Sequence, residues 1–217
     1  MTMAESEQLR IFPLNVVLFP GGSLSLRIFE ERYKLMIGEC LEESLPFGVV
    51  MIKKGPEVGG PATTFDVGTT AHIIKAERLD EGRYNIQTVG KHRFIIREVT
   101  TETPYLKATI EYLEDLDTEN LETLTEKARG ILSEYLKTLT GVKGGWVKSV
   151  DTPIDPTALS YTIARSLAYP PMVGQYLLQL SSIRERIERS IPLLSERLLL
   201  AKSELEKRTP YKGPRLN

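Results

Sequence analysis

Three side chains in this sequence are of the types that most often ligate metals or act as nucleophiles: Cys40, His72 and His92, the full complement of one cysteine and two histidines in 217 residues. One thiol allows no intramolecular disulfide and no zinc site with more than one thiolate. The two histidines would need carboxylates to complete a ligand set, and none stands at a recognisable spacing from them. Cys40 shares a helical stripe with Met36, Ile37 and Leu41, which predicts a buried, inert thiol. Gly55, Gly59 and Gly60 lack the lysine and following helix of a phosphate-cradling loop. Glu30-Glu31 and Glu42-Glu43 are adjacent, so on a helix their side chains diverge by about 100° and make no acid/base pair. No catalytic residue, metal or cofactor is expected.

The remaining chemistry is that of recognition. Lys91-His92-Arg93-Phe94 with Arg97 is the densest basic and aromatic cluster. On a strand Lys91, Arg93 and Arg97 share one face, suited to phosphate or an acidic peptide, or simply to the outside of a barrel. The whole chain carries 28 Lys plus Arg against 29 Asp plus Glu, so no global charge draws it to nucleic acid or an anionic membrane. Residues 1–114 hold 13 basic against 16 acidic side chains, a balance of −3. Trp146, beside Gly144-Gly145, is read as anchoring its loop to the body, with an exposed contact residue as the alternative.

These residues must be placed by elements that the periodicities define. Ile11 to Phe19 reads as a strand broken by Pro20-Gly21-Gly22, and Leu24, Leu26 and Ile28 alternate with polar residues as in a second. Phe29, Tyr33, Met36, Ile37, Cys40 and Leu41 then recur at helical spacing up to Pro46. Phe47–Lys53 reads as a buried strand. Two long β runs, 69–79 and 83–99, flank Asp80-Glu81-Gly82 as a bulged hairpin, with Gly90 marking a bulge or bend, and Tyr105–Leu113 adds another strand. From Asp115 the pattern is helical. A stripe from Leu121 to Leu139 stops at Gly141, and Asp155-Pro156 caps a helix that heads for Tyr169-Pro170-Pro171, the span 156–180 being taken as helical. Ser182 and Glu185 form a capping box before the apolar stripe Ile183 to Leu205, in which Pro192 predicts a kink. Strands followed by helices predict an α+β fold: disordered residues 1–8, a β subdomain over 9–115, a helical subdomain over 116–208 whose helices cover the stripe within one chain, and a flexible tail over 209–217.

Five strings in succession, PLNVVLFPGG (13–22), LSLRIFEERYKLMI (24–37), FGVVMIKKG (47–55), DVGTTAHIIKAERLDEGRYNIQTVGKHRF (66–94) and PYLKATIEYLED (104–115), resemble the Lon protease N-terminal, substrate-binding domain family, in particular the bacterial proteins in which this domain stands alone. LSYTIARSL (159–167) and QYLLQLSSIRERIERSIPLLSERL (175–198) resemble its helical part more loosely. Many stand-alone members have proline where this chain has Glu31, a residue that still suits the first turn of a helix.

The resemblance implies a PUA-like β-barrel with one helix, followed by a helical bundle. It implies a non-enzymatic, proteolysis-related module, without ATPase or protease modules, that binds unfolded or apolar polypeptide segments in a groove between barrel and helices. Candidate contacts are Phe29, Arg32 and Tyr33 from FEERY, with Arg93 and Phe94 from GKHRF. A Lon-type protease or its clients are the implied partners, and a monomer is expected, with a homodimer as the alternative. PUA-like barrels elsewhere read RNA, which gives the competing function. The N-terminus lacks a secretory pattern and no apolar run is long enough to span a bilayer, so a cytoplasmic protein is expected.

Overall fold

The computed structural model describes residues 7–60, 62–101 and 104–208. Strands β1 (Glu7–Leu14) and β2 (Ser23–Ile28) precede helix α1 (Glu31–Glu43), which is followed by β3 (Phe47–Lys54), β4 (Thr63–Arg78), β5 (Tyr84–Thr101) and β6 (Leu106–Tyr112). Four helices complete the chain: α2 (Glu122–Val142), α3 (Pro156–Ser166), α4 (Pro171–Gln179) and α5 (Ile183–Arg208). The fold is α+β, as the segregated periodicities predict. Of the two ends expected to be irregular, 1–6 and 209–217 lie outside the described residues, whereas Glu7 and Gln8 already belong to β1.

The strand order is β2-β5-β4-β3-β1-β6, with β6 pairing both β1 and β5. The ladder through β5, β4, β3, β1 and β6 therefore returns to its starting strand. All pairs are antiparallel except β1 with β3. β5 serves three neighbours, with β4 along one edge and the other divided between β2, against Tyr84–Val89, and β6, against Phe94–Thr101.

Gly90 sits where that second edge changes partner. Between Thr69↔Arg93 and Ala71↔Gly90 the register slips by one residue, and the His92 N–H donates to Thr70 Oγ1 at 3.0 Å. This is the bulge that a glycine inside a strand predicts. A second requirement is steric: Gly90 exchanges backbone hydrogen bonds with Gly21 and Gly22 at 2.9 and 2.8 Å, and a Cβ at Gly90 would stand 2.3 Å from the Phe19 carbonyl oxygen.

The segment 15–22, the first part of which the sequence assigns to the opening strand, instead leaves the sheet and plugs two cores. Leu18 joins the core formed by the sheet and α1, while Phe19 joins Leu132, Leu159, Ile163, Leu177, Ile187 and other helical residues. α1 buries Tyr33, Met36, Ile37 and Cys40, and the Tyr33 ring stacks on Phe12 with centroids 4.0 Å apart. Phe29, placed by its spacing on that stripe, lies ahead of the N-cap Glu30 and is 52% exposed. The first helical residue is Glu31, whose carboxylate meets Lys34 Nζ at 2.5 Å.

In the helical half, Asp155 Oδ2 accepts from the Ala158 N–H at 2.7 Å, and Ser182 Oγ accepts from the Glu185 N–H at 3.0 Å. Both caps stand where local sequence puts them. The helical span 156–180 breaks before Pro170-Pro171, where the sequence ends its helix, and comprises α3 and α4. Prolines 170 and 171 cannot continue a helix but suit the start of a new one, and α4 begins at Pro171. α2 runs one residue past Gly141. Trp146 is 83% exposed, which fits the exposed-contact alternative and not an anchoring role. α5 contributes Ile183, Ile187, Leu194, Leu198 and Ala201 to a core shared with α2, α3, α4, Phe19 of the 15–22 segment and Val67 of β4. Gln175 of α4 ties the layers further, its buried Nε2 donating to Val67 O at 3.0 Å.

Candidate functional site

The FEERY string opens a cleft of about 210 Å3 at the head of α1. Its apolar floor comes from Phe12 and Leu14 of β1, Leu26 of β2 and Tyr33 of α1, and its rim from Phe29 and Val58. Both rim residues are about half exposed, whereas Phe12, Leu14 and Tyr33 are buried. Polar contacts fix the walls around this apolar space. Glu30 Oε2 accepts from Arg32 Nε at 3.1 Å and from the Gly59 N–H at 3.4 Å, and it pairs with Arg32 Nη2 at 2.9 Å. Glu57 Oε2 accepts from the Asn15 N–H at 3.2 Å. The Arg32 guanidinium lies 4.5 Å over the Tyr33 ring, and burial raises the Tyr33 pKa. Arg27, Glu30 and Glu57 also line the cleft, so an apolar side chain entering it would meet aromatic and aliphatic surface between charged walls.

The other two sequence candidates lie elsewhere. Phe94 is fully buried among Leu9, Ile11, Val50, Ala108 and Ile110 inside the sheet. Arg93, next to it on β5, points to the opposite face and is only 2% exposed. Its Nη1 donates to the carbonyls of Leu178 and Leu180 at 3.0 and 3.1 Å, and its Nη2 to Glu114 O and Asp115 Oδ1, both at 3.0 Å. Neither residue offers surface to a peptide, because this part of β5 is covered on both faces. The expected stripe of Lys91, Arg93 and Arg97 is accordingly not a shared exposed face: Lys91 and Arg97 are open to solvent while Arg93 turns inward.

Arg93 belongs to a buried cluster that the sequence does not announce. Asp115 also accepts from Arg186 Nη2 at 2.7 Å and from the Tyr161 hydroxyl at 2.7 Å. Arg186 further donates to Ser160 Oγ at 2.8 Å and Leu180 O at 2.5 Å, and its guanidinium lies 4.2 Å over the Tyr161 ring. Burial pushes the Tyr161 hydroxyl pKa well up. The available signal is Arg186 itself, three positions after Ile183 and next to Ile187, on the stripe that should be wholly apolar. Beside this cluster a groove of about 350 Å3 runs between β5 and α3, lined by Lys91, His92, Arg165, Asp115 and Asp155 among others.

Cys40 is buried, and desolvation pushes its thiol pKa up to about 11. Burial, then Lys91 and His92, lowers the His72 pKa. Among the described residues no three His, Cys, Asp or Glu side chains are grouped to hold a metal, and no helix is long and apolar enough to cross a membrane.

Residues 8–196 match the model of the ATP-dependent protease La (LON) substrate-binding domain. Among curated proteins, the Lon protease of Anaeromyxobacter dehalogenans is 28% identical over 194 residues, covering 87% of this chain and 23% of the relative. The Lon protease of Escherichia coli is 24% identical over 205 residues, covering 93% and 26%. The chain thus spans about a quarter of the length of these proteases. Among solved structures, a Lon N-terminal domain protein from Xanthomonas campestris superposes with a TM-score of 0.64 at 20% identity, covering 86% of this chain and 98% of that one. The N-terminal domain of a Mycobacterium avium complex Lon protease gives 0.64 at 16%, covering 88% and 99%. With the family model covering most of the chain and the fold matched on both sides, this protein belongs to the Lon substrate-binding domain family.

Proposed function

We propose that the protein recognises polypeptide segments, holding an exposed apolar side chain in the cleft at the head of α1, and that it catalyses no reaction on them. The observation that carries this reading is the pairing of two half-exposed apolar rim residues, Phe29 and Val58, with a buried floor of Phe12, Leu14 and Tyr33. Burying a further apolar side chain there is favourable by about 1.5 to 3 kcal/mol, in the range of weak recognition. Phe29 and Tyr33 line the cleft and are the proposed contacts, and Arg32, which is not part of the lining, acts through its stacking on the Tyr33 ring. The closed ladder with its appended helices is read as the PUA-like barrel and helical bundle that the family resemblance implies. Unfolded client proteins, or a Lon-type protease that shares them, are the fitting partners. The RNA reading needs a contiguous basic face, and the inward turn of Arg93 divides the best one.

The test is a fluorescence titration with an unfolded model protein, run on the wild type and on Phe29→Ser. Binding that the substitution weakens supports the reading. Binding no stronger than to an unrelated globular control at concentrations up to about 100 μM would sink it.

A further inference from the structure

The groove between β5 and α3 holds more positive charge than its own carboxylates neutralise. Asp115, on its floor, is shared between two guanidiniums, Arg93 and Arg186. Asp155 is engaged by the Ala158 N–H at 2.7 Å. Lys91 reaches the groove from the sheet and Arg165 from α3, and neither forms an ion pair among the described residues. The side-chain hydrogen bond of Arg165 goes to Thr162 Oγ1 at 2.9 Å. Its stem lies on the Gly21-Gly22 turn, with Cδ 3.2 Å from where a Cβ on Gly22 would stand, and this burial lowers its pKa. Arg165 is thus a cation partly withdrawn from water with no counter-charge beside it, an arrangement that an incoming anion relieves. The Arg93 Nε is also buried and without an acceptor. His92 stands next to Lys91 on the groove wall.

We propose that this groove binds carboxylates of an acidic polypeptide segment, the Asp or Glu side chains of a client. The inference rests on the polypeptide-recognition reading and adds a second, charge-selective contact to the apolar one. A peptide is favoured over a small free ion because the cations stand on two separate elements along a groove of about 350 Å3. That is room for about two residues of a peptide, and a single oxyanion would leave most of it empty.

Fluorescence anisotropy at low salt tests this on the full chain with three labelled eight-residue peptides, one Glu-rich, one Lys-rich and one apolar. The wild type should bind the Glu-rich peptide and not the Lys-rich one. Arg165→Gln and Lys91→Gln should each weaken the Glu-rich peptide by about tenfold and leave the apolar peptide unchanged. Lys91 is exposed, so Lys91→Gln keeps its melting temperature and remains informative should Arg165→Gln fold poorly. Equal binding of the two charged peptides, or a Glu-rich affinity indifferent to both substitutions, overturns the proposal. So does binding of inorganic phosphate that both substitutions weaken while the Glu-rich peptide fails to bind, which would make the groove a site for free oxyanions. Loss of the apolar peptide alone would refute the α1 cleft and leave this groove standing.

Discussion

Arg93 and Arg186 close on the same atom: Asp115 Oδ1 accepts from Arg93 Nη2 at 3.0 Å and from Arg186 Nη2 at 2.7 Å. Both guanidiniums are buried, and they come from a strand and from the last helix. A buried ion pair adds little over an apolar substitute, but removing one partner strands the other charge, at about 3 to 5 kcal/mol. Asp115→Asn should therefore cost about 3 kcal/mol and lower the melting temperature by roughly 6 to 12 °C. A shift under about 1 °C, measured by calorimetry, would show that the cluster is not under this electrostatic load.

Leu198 is 8% exposed and belongs to the core shared by the helices. Leu198→Asp places an unpaired charge there and should lower the melting temperature by roughly 10 °C. If a monomeric sample melts unchanged, or if light scattering shows a dimer turned into a stable monomer, the α5 stripe is an interface between copies.

Gly90→Ala should destabilise sharply, because the added Cβ would stand 2.3 Å from a backbone carbonyl oxygen that cannot move without opening the Gly21-Gly22 turn. Gly130, inside α2 with nothing within 4 Å of its Cβ position, supplies the contrast: Gly130→Ala should stabilise by about 0.5 to 1 kcal/mol. Chemical denaturation of the two variants side by side separates a steric cost from a general intolerance of alanine.

The Cys40 thiol is raised from its ordinary 9.0 to about 11, burial being the main cause. A group whose folded pKa lies above its unfolded one contributes stability that is fully present below the unfolded value and is lost as pH rises through the folded value. Between pH 9 and 11 the wild type should therefore lose about 2 to 3 kcal/mol more than Cys40→Ala. Parallel stability curves for the two proteins across that window would contradict the assignment.

What the sequence discloses is what short-range physics decides. Leu24, Leu26 and Ile28 alternate with Ser23, Ser25 and Arg27 because one face of β2 is solvated, and the caps at Asp155 and Ser182 need only three residues to form. The losses come where burial is decided at long range. β5 at Arg93 and Phe94 is covered on both faces, so its period of two vanishes and an inward arginine looks like an outer one. Phe29 keeps helical spacing from Tyr33 yet stands before the helix begins, and this displacement is what leaves it on the rim of the cleft. The Asp115 cluster joins residues that no local window contains.

Arg93 also bears on how the chain reaches its native state. Its bond to the Leu178 carbonyl closes a loop of 85 residues, and Phe19 and Val67 lie in the same core as the helices. Contacts of that span slow folding, because the entropy of loop closure is lost before the contact forms. The helices cannot reach their final packing until β5 is in register, and a sheet ending near residue 115 would expose a guanidinium, Phe19 and Val67 together. The two halves should therefore be coupled in unfolding, with the amides of Arg93 and Phe94 among the last to exchange with solvent in a hydrogen-exchange experiment.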